Sequence, residues 1–420
     1  MLTSPSLTPK SAGATHAVSK RCVFYLSGFD PKGVSRYHTL YREEALKQSR
    51  VSGMAIEVGS RQKTPEGNAF WQVRAQENGG DVVTHVEFLR WDDIVRHHWP
   101  KKQAHLFFAM IATAWLNVRS GTAWRMFKLA WPPAVAMVSA FMLLIALLLG
   151  TPMLAVGVFT AAAPQGGPWA AVAAASVACA VWIQSGRYLD KKFSMLWLMR
   201  SYSFTAQQAQ GKVPKIDARL ALHAATVQLR IEAATDDEVL LVGHSSGAMM
   251  AASVLAKVLR RVPAIGAISA NRPVVSLLTL GHCMPMLGCL PQAQAFRDDL
   301  AVLASAPGFD WIDFTAPPDG CCFPLVDPVA ACGVTDFGGA ARLPDRPKLL
   351  SPRFAEMFDA ATYRALRRDK FRIHFQYLMA TTQPVPYDYF AITAGTQTLA
   401  ARFSRYPSIT DFTRFQIFRR

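Results

Sequence analysis

Hydrophobic and polar positions along this chain follow two distinct patterns. Short β-branched and aromatic blocks at Cys22–Leu26, Ala55–Val58, Phe70–Val73 and Val82–Phe88 predict strands, the last preceded by an Asn78-Gly79-Gly80 turn. Ser35–Gln48 reads as a helix between the first two. Farther on, Leu220, Ala224, Val227 and Ile231 recur at helical spacing within Ile216–Ala233. The unbroken apolar run Val239–Val242 then predicts a strand covered on both faces, and Val274–Leu280 and Trp311–Thr315 add two more. Strand and helix alternate, which predicts an α/β fold on a mainly parallel sheet flanked by helices.

The second pattern interrupts the first. No Asp, Glu, Lys or Arg occurs between Lys128 and Arg187, a stretch of 58 residues. As helix, at about 1.5 Å per residue, it would extend roughly 87 Å, too long for one crossing of a hydrocarbon layer roughly 30 Å thick but sufficient for two and a turn. Ala134–Val158 forms the first apolar span, with Pro152 placed to kink or shorten it. Pro164-Gln165-Gly166-Gly167-Pro168 supplies the turn, and an Ala-rich second span runs from Trp169 through Ile183 to about residue 185, with Trp169 and Trp182 as interfacial anchors. The alternative is a helical hairpin buried inside a large soluble protein.

Arg119, Arg125 and Lys128 precede this stretch, Arg187, Lys191, Lys192 and Arg200 follow it, and its turn carries no basic residue. The positive-inside bias therefore predicts an integral membrane protein, of bacterial inner-membrane type, with both termini and the soluble core in the cytoplasm. The flanks His105–Trp131 and Arg187–Phe204 read as helices at the membrane surface. The expected organisation is a polar, disordered N-terminus (1–20), a first part of the core (21–105), a membrane insertion (106–205), a second part of the core (206–390) and a basic, aromatic C-terminal tail (391–420).

With 420 residues, 51% hydrophobic and 18% charged, neither a disordered chain nor a small disulfide-stapled domain is expected. The net charge of +16 calls for an acidic partner, and the basic flanks of the apolar stretch favour anionic lipid over nucleic acid, for which no recognition motif is present. There is no phosphate-cradling G-x-x-x-x-G-K. Seven cysteines without a C-x-x-C pair fit a reducing compartment, and vicinal Cys321-Cys322 lacks metal-ligand spacing, so neither metal nor cofactor is expected.

One motif carries chemistry. The strand Val239–Val242 runs into Gly243-His244-Ser245-Ser246-Gly247 and then into the helical sequence Ala248–Leu255. This is G-x-S-x-G between strand and helix, a context in which the serine sits on a strained turn that lifts its hydroxyl clear of the sheet, with flanking glycines leaving room for that turn.

At these residues the chain resembles the α/β-hydrolase superfamily, and within it the lipase-like serine hydrolases. The resemblance covers roughly Arg21–Val95 and Ile216–Tyr389 and does not cover the apolar stretch. It implies an α/β-hydrolase-type sheet with Ser245 as nucleophile, and the apolar stretch interrupts that sheet as a two-helix transmembrane hairpin, a departure from the family's pattern. The family's chain order of nucleophile, acid and histidine leaves His374 as the base, because His282 comes before any acid of the later strand. Asp319, just past Trp311–Thr315 and followed by Pro324, takes the acid's place; Asp313 and Asp327 are its rivals. The family's oxyanion hole implies the backbone amides of Ser246 and, from Gly28-Phe29-Asp30, of Phe29, although the loop lacks a His-Gly-Gly-Gly form and also reads as a plain turn. His244 reads as a packing residue, and His38 either lines the pocket or lies on a helix surface.

The implied function is a membrane-anchored esterase or lipase, cleaving an acyl ester of a lipid-like amphiphile through an acyl-enzyme. Two alternatives stay open. An acyltransferase would use the same triad, and a non-catalytic membrane scaffold or partner-binding module would use only the fold.

Overall fold

The computed structural model describes residues 17–100, 103–262 and 272–417. Among the described residues nine strands form one mixed sheet: β1 (Lys20–Leu26), β2 (Ala55–Val58), β3 (Gln62–Lys63), β4 (Ala69–Glu77), β5 (Gly80–Phe88), β6 (Glu238–His244), β7 (Val274–Leu280), β8 (Phe309–Phe314) and β9 (Lys348–Leu350). Their order is β2-β4-β5-β1-β6-β7-β8-β9, with β3 paired to β4. From β5 to β9 all neighbours are parallel, while β2, β3 and β5 pair antiparallel to β4. The expected strands are all present. β3 and β9 were not anticipated, being too short to show a period.

The apolar runs of the central strands face two cores. Cys22, Phe24 and Leu26 of β1 and Val239 and Leu241 of β6 enter one, while Val23 and Tyr25 and Leu240 and Val242 enter the other. This is period-two alternation with both faces covered, which requires a continuous apolar sequence. The helix Val34–Ser52 packs with the second core, and Pro214–Ala233 and Ser246–Arg261 pack with the first. Between the layers Arg21 Nε donates to Glu238 at 2.7 Å, both side chains fully buried. Arg21 also donates to the carbonyls of Gly395 and Gln397, and Glu238 accepts from Ser276 and the Leu399 amide. A buried ion pair satisfied this fully is tolerable, whereas removing one partner would strand a charge.

The chain ends are more integrated than the sequence suggests. Residues 1–16 lie outside the described residues, but Val18 is already buried and Ala17 bridges to Gln397. The tail from 391 is no appendage: Phe403 is core, Ile409 donates to Leu349, and the Trp131 amide donates to the Phe415 carbonyl. Residues 418–420 lie outside the described residues.

Between β5 and β6 the chain leaves the sheet. Helices Gln103–Arg119 and Thr122–Leu129 lead into Trp131–Phe193, 63 residues long and apolar enough to cross a membrane, and Met195–Ala209 returns to the core. Inside the long element the backbone departs from helical dihedrals at Gly167 (φ 79°, ψ 172°), while Pro152 stays within the helix. The segments on either side touch. Gly186 lies against Leu147, Gly150 against the Trp182 ring, and Cys179 Sγ is 3.6 Å from the Thr151 carbonyl. The long element's most apolar 18 residues are 17% buried, and Trp169, Val156 and Met153 are among the exposed side chains of the element as a whole.

Candidate active site

The C-terminal edge of the parallel strands gathers the candidate residues. β1 is flanked by β5 and β6 and so lies where the strand order reverses, the place where open α/β sheets hold their ligands. Ser245 follows β6 with φ 59° and ψ −127°, a conformation strained for a residue with a side chain, and precedes the helix Ser246–Arg261. Its amide is tied to the Leu280 carbonyl at 2.8 Å. The flanking glycines are required by close approach. A Cβ on Gly243 would stand 2.5 Å from the Gly247 carbonyl oxygen, and one on Gly247 would collide with the Leu26 and Ser27 carbonyls.

His374 belongs to the short helix Lys370–Phe375 and is buried. Its Nδ1 is 2.8 Å from Asp319 Oδ2, whereas its Nε2 is buried with no hydrogen-bond partner. Asp319, past the end of β8, also accepts from the Tyr377 hydroxyl at 3.1 Å and, through Oδ1, from the Cys321 amide at 3.0 Å. Burial by itself would raise the Asp319 carboxyl, but the facing His374, its hydrogen bond and that of the Cys321 amide hold it below the usual carboxylate range. An ionised carboxylate on Nδ1–H leaves Nε2 as the acceptor nitrogen.

The rival acids have other duties. Asp313 on β8 is buried, accepts from Thr279, and faces His282 at 3.6 Å. Asp327 caps the helix Pro328–Ala331 and pairs with Arg342. His244 packs its ring 4.9 Å from that of His374 and donates Nε2–H to the His374 carbonyl at 2.8 Å. Burial, and then the neighbouring His374, push its pKa down to about 3, so at neutral pH it is no competing base. His38 is half-buried against Trp71, with Nε2 on the Gly59 carbonyl, and so joins neither the site nor the open surface.

The two expected oxyanion amides differ. Ser246 opens its helix, where the first backbone N–H groups have no partner within the helix. The Phe29 amide is engaged, donating to Ser246 Oγ at 2.8 Å. Gly28 brings this loop close to Ser245, since a Cβ there would lie 3.0 Å from Ser245 Cβ.

Three participants had no signature in the sequence. Tyr377 steadies Asp319 and takes the Ala316 amide at 2.9 Å. Trp197, four residues past the long apolar helix, donates its indole N–H to the Phe29 carbonyl at 2.7 Å and lies 6.3 Å from the His374 ring. Cys283, whose thiol burial pushes up to about 12, has the Ser245 side chain beside it, acting in the opposite sense.

Asp319, Cys321 and His374 place a carboxylate oxygen, a sulfur and an imidazole nitrogen within 4.8 Å of one another, a donor set of the kind zinc accepts. However, the carboxylate and Nδ1 already bond each other, and burial keeps the Cys321 thiol well above its usual range, opposing the thiolate that a metal ligand must be. No family model, curated protein or solved structure matches this chain.

Proposed function

We propose that the protein is a membrane-anchored serine hydrolase of the lipase-like kind, on an α/β-hydrolase-type fold, cleaving an acyl ester or thioester. The reading is carried by one observation: His374 keeps Nε2 buried and unpartnered while Asp319 holds Nδ1, beside a strand–turn–helix elbow whose serine has φ 59°.

Ser245 Oγ attacks the substrate carbonyl carbon as His374 Nε2 takes the hydroxyl proton. The developing imidazolium is stabilised by ionised Asp319, which Tyr377 and the Cys321 amide keep in place. The tetrahedral oxyanion is received by the Ser246 amide at the positive end of its helix and by the Phe29 amide once Ser246 Oγ releases it. Collapse breaks the bond from carbonyl carbon to leaving group, which departs with the proton from Nε2. Water then attacks the acyl-enzyme by the same route, its proton passing through His374, and the carboxylic acid leaves.

The long helical element is proposed to be a transmembrane hairpin turning at Gly167. The contacts of residues 147, 150 and 151 with 186, 182 and 179 support two antiparallel spans. Two crossings also return the chain to the side it left, as a single sheet formed from both halves demands. With Lys191 and Lys192 at one end of the element, that side is the cytoplasm.

The test is labelling with a fluorophosphonate, which reacts with an activated serine. Native protein in membranes should label, and Ser245→Ala and His374→Ala should not. Labelling that survives Ser245→Ala removes the nucleophile assignment, and folded native protein that does not label removes the hydrolase reading.

A further inference from the structure

A cavity of about 670 Å³ lies where the oxyanion loop, the end of the apolar helix and the helix carrying His374 converge. Five cations line it: Lys32, Arg36, Lys191, Lys192 and Arg368. Only two carboxylates share the wall, and both are engaged. Asp30 accepts from the Lys32 amide and the Tyr37 hydroxyl and faces Arg36 at 3.7 Å; Asp369 accepts from the Arg372 amide. Among the described residues, Lys32, Lys191, Lys192 and Arg368 pair with no carboxylate. So much uncompensated positive charge on one concave wall raises the local concentration of anions.

The cavity adjoins the site through neighbours of its residues. Arg36 is held over the rings of Phe371 and Phe375, at 5.3 and 4.9 Å, on the helix that bears His374. Trp197 lines the wall, and its ring is the one 6.3 Å from His374. Asp30 and Pro31 follow directly on Phe29. Lys191 and Lys192 end the proposed membrane span, which sets the cavity at headgroup level. Guanidinium and ammonium groups so placed are the chemistry that receives a phosphate.

Resting on the hydrolase reading, we infer that this cavity seats the phosphate of the substrate, so that the enzyme acts on a phosphate-bearing acyl amphiphile rather than on a neutral ester. A phospholipid in the bilayer and a water-soluble acyl thioester of a phosphorylated carrier share that chemistry.

Full-length Ser245→Ala protein in neutral detergent separates binding from turnover. By calorimetry, dihexanoylglycerol phosphate or hexanoyl-coenzyme A should bind at least tenfold more tightly than dihexanoylglycerol, with the preference shrinking as salt is raised. Adding Lys32→Gln, Lys191→Gln and Arg368→Gln together should bring the preferred probe to within twofold of the neutral one; Lys32→Arg alone should keep the preference. Melting temperature in the same detergent verifies folding. Tighter binding of the glycerol phosphate assigns the lipid source, and tighter binding of the thioester assigns the soluble one. Equal binding of charged and neutral probes, or a preference untouched by the triple variant, overturns the inference. Because no turnover is read, protein that labels with fluorophosphonate yet lacks the preference loses only this assignment. Protein with the preference that does not label loses only the hydrolase reading.

Discussion

The backbone amide of Phe29 donates to the hydroxyl of Ser246 at 2.8 Å, so the residue after the proposed nucleophile occupies the second donor of the proposed oxyanion hole. An oxyanion is a stronger acceptor than a hydroxyl, charge-assisted bonds being about twice as strong as neutral ones, and it can displace Ser246 Oγ during attack. The ground-state bond is then an expense that the transition state must overcome. Its net value of about 1 kcal/mol corresponds to roughly a fivefold change in rate. Ser246→Ala should therefore speed acylation of Ser245 by up to about fivefold, followed as the rate of fluorophosphonate labelling, while lowering stability by about 1–3 kcal/mol through the unsatisfied amide. A tenfold slower label would show instead that the hydroxyl itself donates to the oxyanion.

In the proposed mechanism Tyr377 stands one step removed from the nucleophile. Its hydroxyl donates to Asp319 Oδ2, the oxygen that holds His374, and accepts from the Ala316 amide. Tyr377→Phe removes both bonds, and the 3.6 Å contact of the hydroxyl with the Cys322 thiol, without changing the ring packing on Phe354. The expected result is a fall of about tenfold in kcat with KM little changed, as for loss of an interaction that matters only as charge develops on the imidazole. A rise in KM at constant kcat would place Tyr377 in substrate binding.

Gly247 tests the elbow as a packing arrangement. A Cβ there meets the backbone of Leu26 and Ser27, neither of which can give way without moving β1. Gly247→Ala should destabilise the protein by about 3 kcal/mol or more, the scale of severe overpacking, and abolish labelling. Full labelling at native stability would mean that β1 and the elbow are not held this closely.

These relationships show where the sequence was informative. The central strands were legible because burial on both faces leaves only apolar residues, as in Val239–Val242, and the elbow because strand, tight turn and helix each restrict composition over a few adjacent positions. In sequence Asp319 differs from Asp313 and Asp327 only in its place just past β8 and in the Pro324 that follows; their hydrogen bonds separate them further. β9 was invisible because three residues carry no period. The contributions of Trp197 and Tyr377 were equally hidden, since each depends on contacts with residues far away in sequence. The packing of the tail is hidden for a related reason: Phe403 and Phe415 read as part of a basic, aromatic tail, and only the fold shows Trp131 and the second core as their partners.

Two buried histidines set an acid limit on stability. Burial, then the charge of Arg219, lowers the pKa of His223 to about 4, and burial lowers that of His244 to about 3. Both folded values lie below the unfolded value of about 6.5, so the stabilisation is complete above that pH and is lost as pH falls toward the folded values. Each group contributes a slope of about 1.4 kcal/mol per pH unit across its window. His223 uses Nε2–H to reach the Arg90 carbonyl, a bond that glutamine can replace. Urea denaturation in detergent should show native stability, relative to His223→Gln, falling by about 1.4 kcal/mol per unit between pH 6 and about 4.5. A difference that stays flat over that range would mean that His223 takes up its proton in the folded protein.

The turn at Gly167 makes the membrane reading testable. Gly167 alone within Trp131–Phe193 leaves the helical conformation, and the residues it separates come together in reverse order, 147 with 186 and 151 with 179. If each side of the turn crosses the bilayer once, Gly167 lies on the face opposite Ser245. A cysteine placed there should react with a membrane-impermeant maleimide added to intact cells, whereas one at exposed Arg353, in the soluble core, should react only after permeabilisation. The native cysteines provide the background, most of them being buried. Reaction of both positions only after permeabilisation would place the hairpin inside the soluble protein, or flat on its membrane surface. Reaction of both in intact cells would put the core outside and reverse the orientation drawn from Lys191 and Lys192.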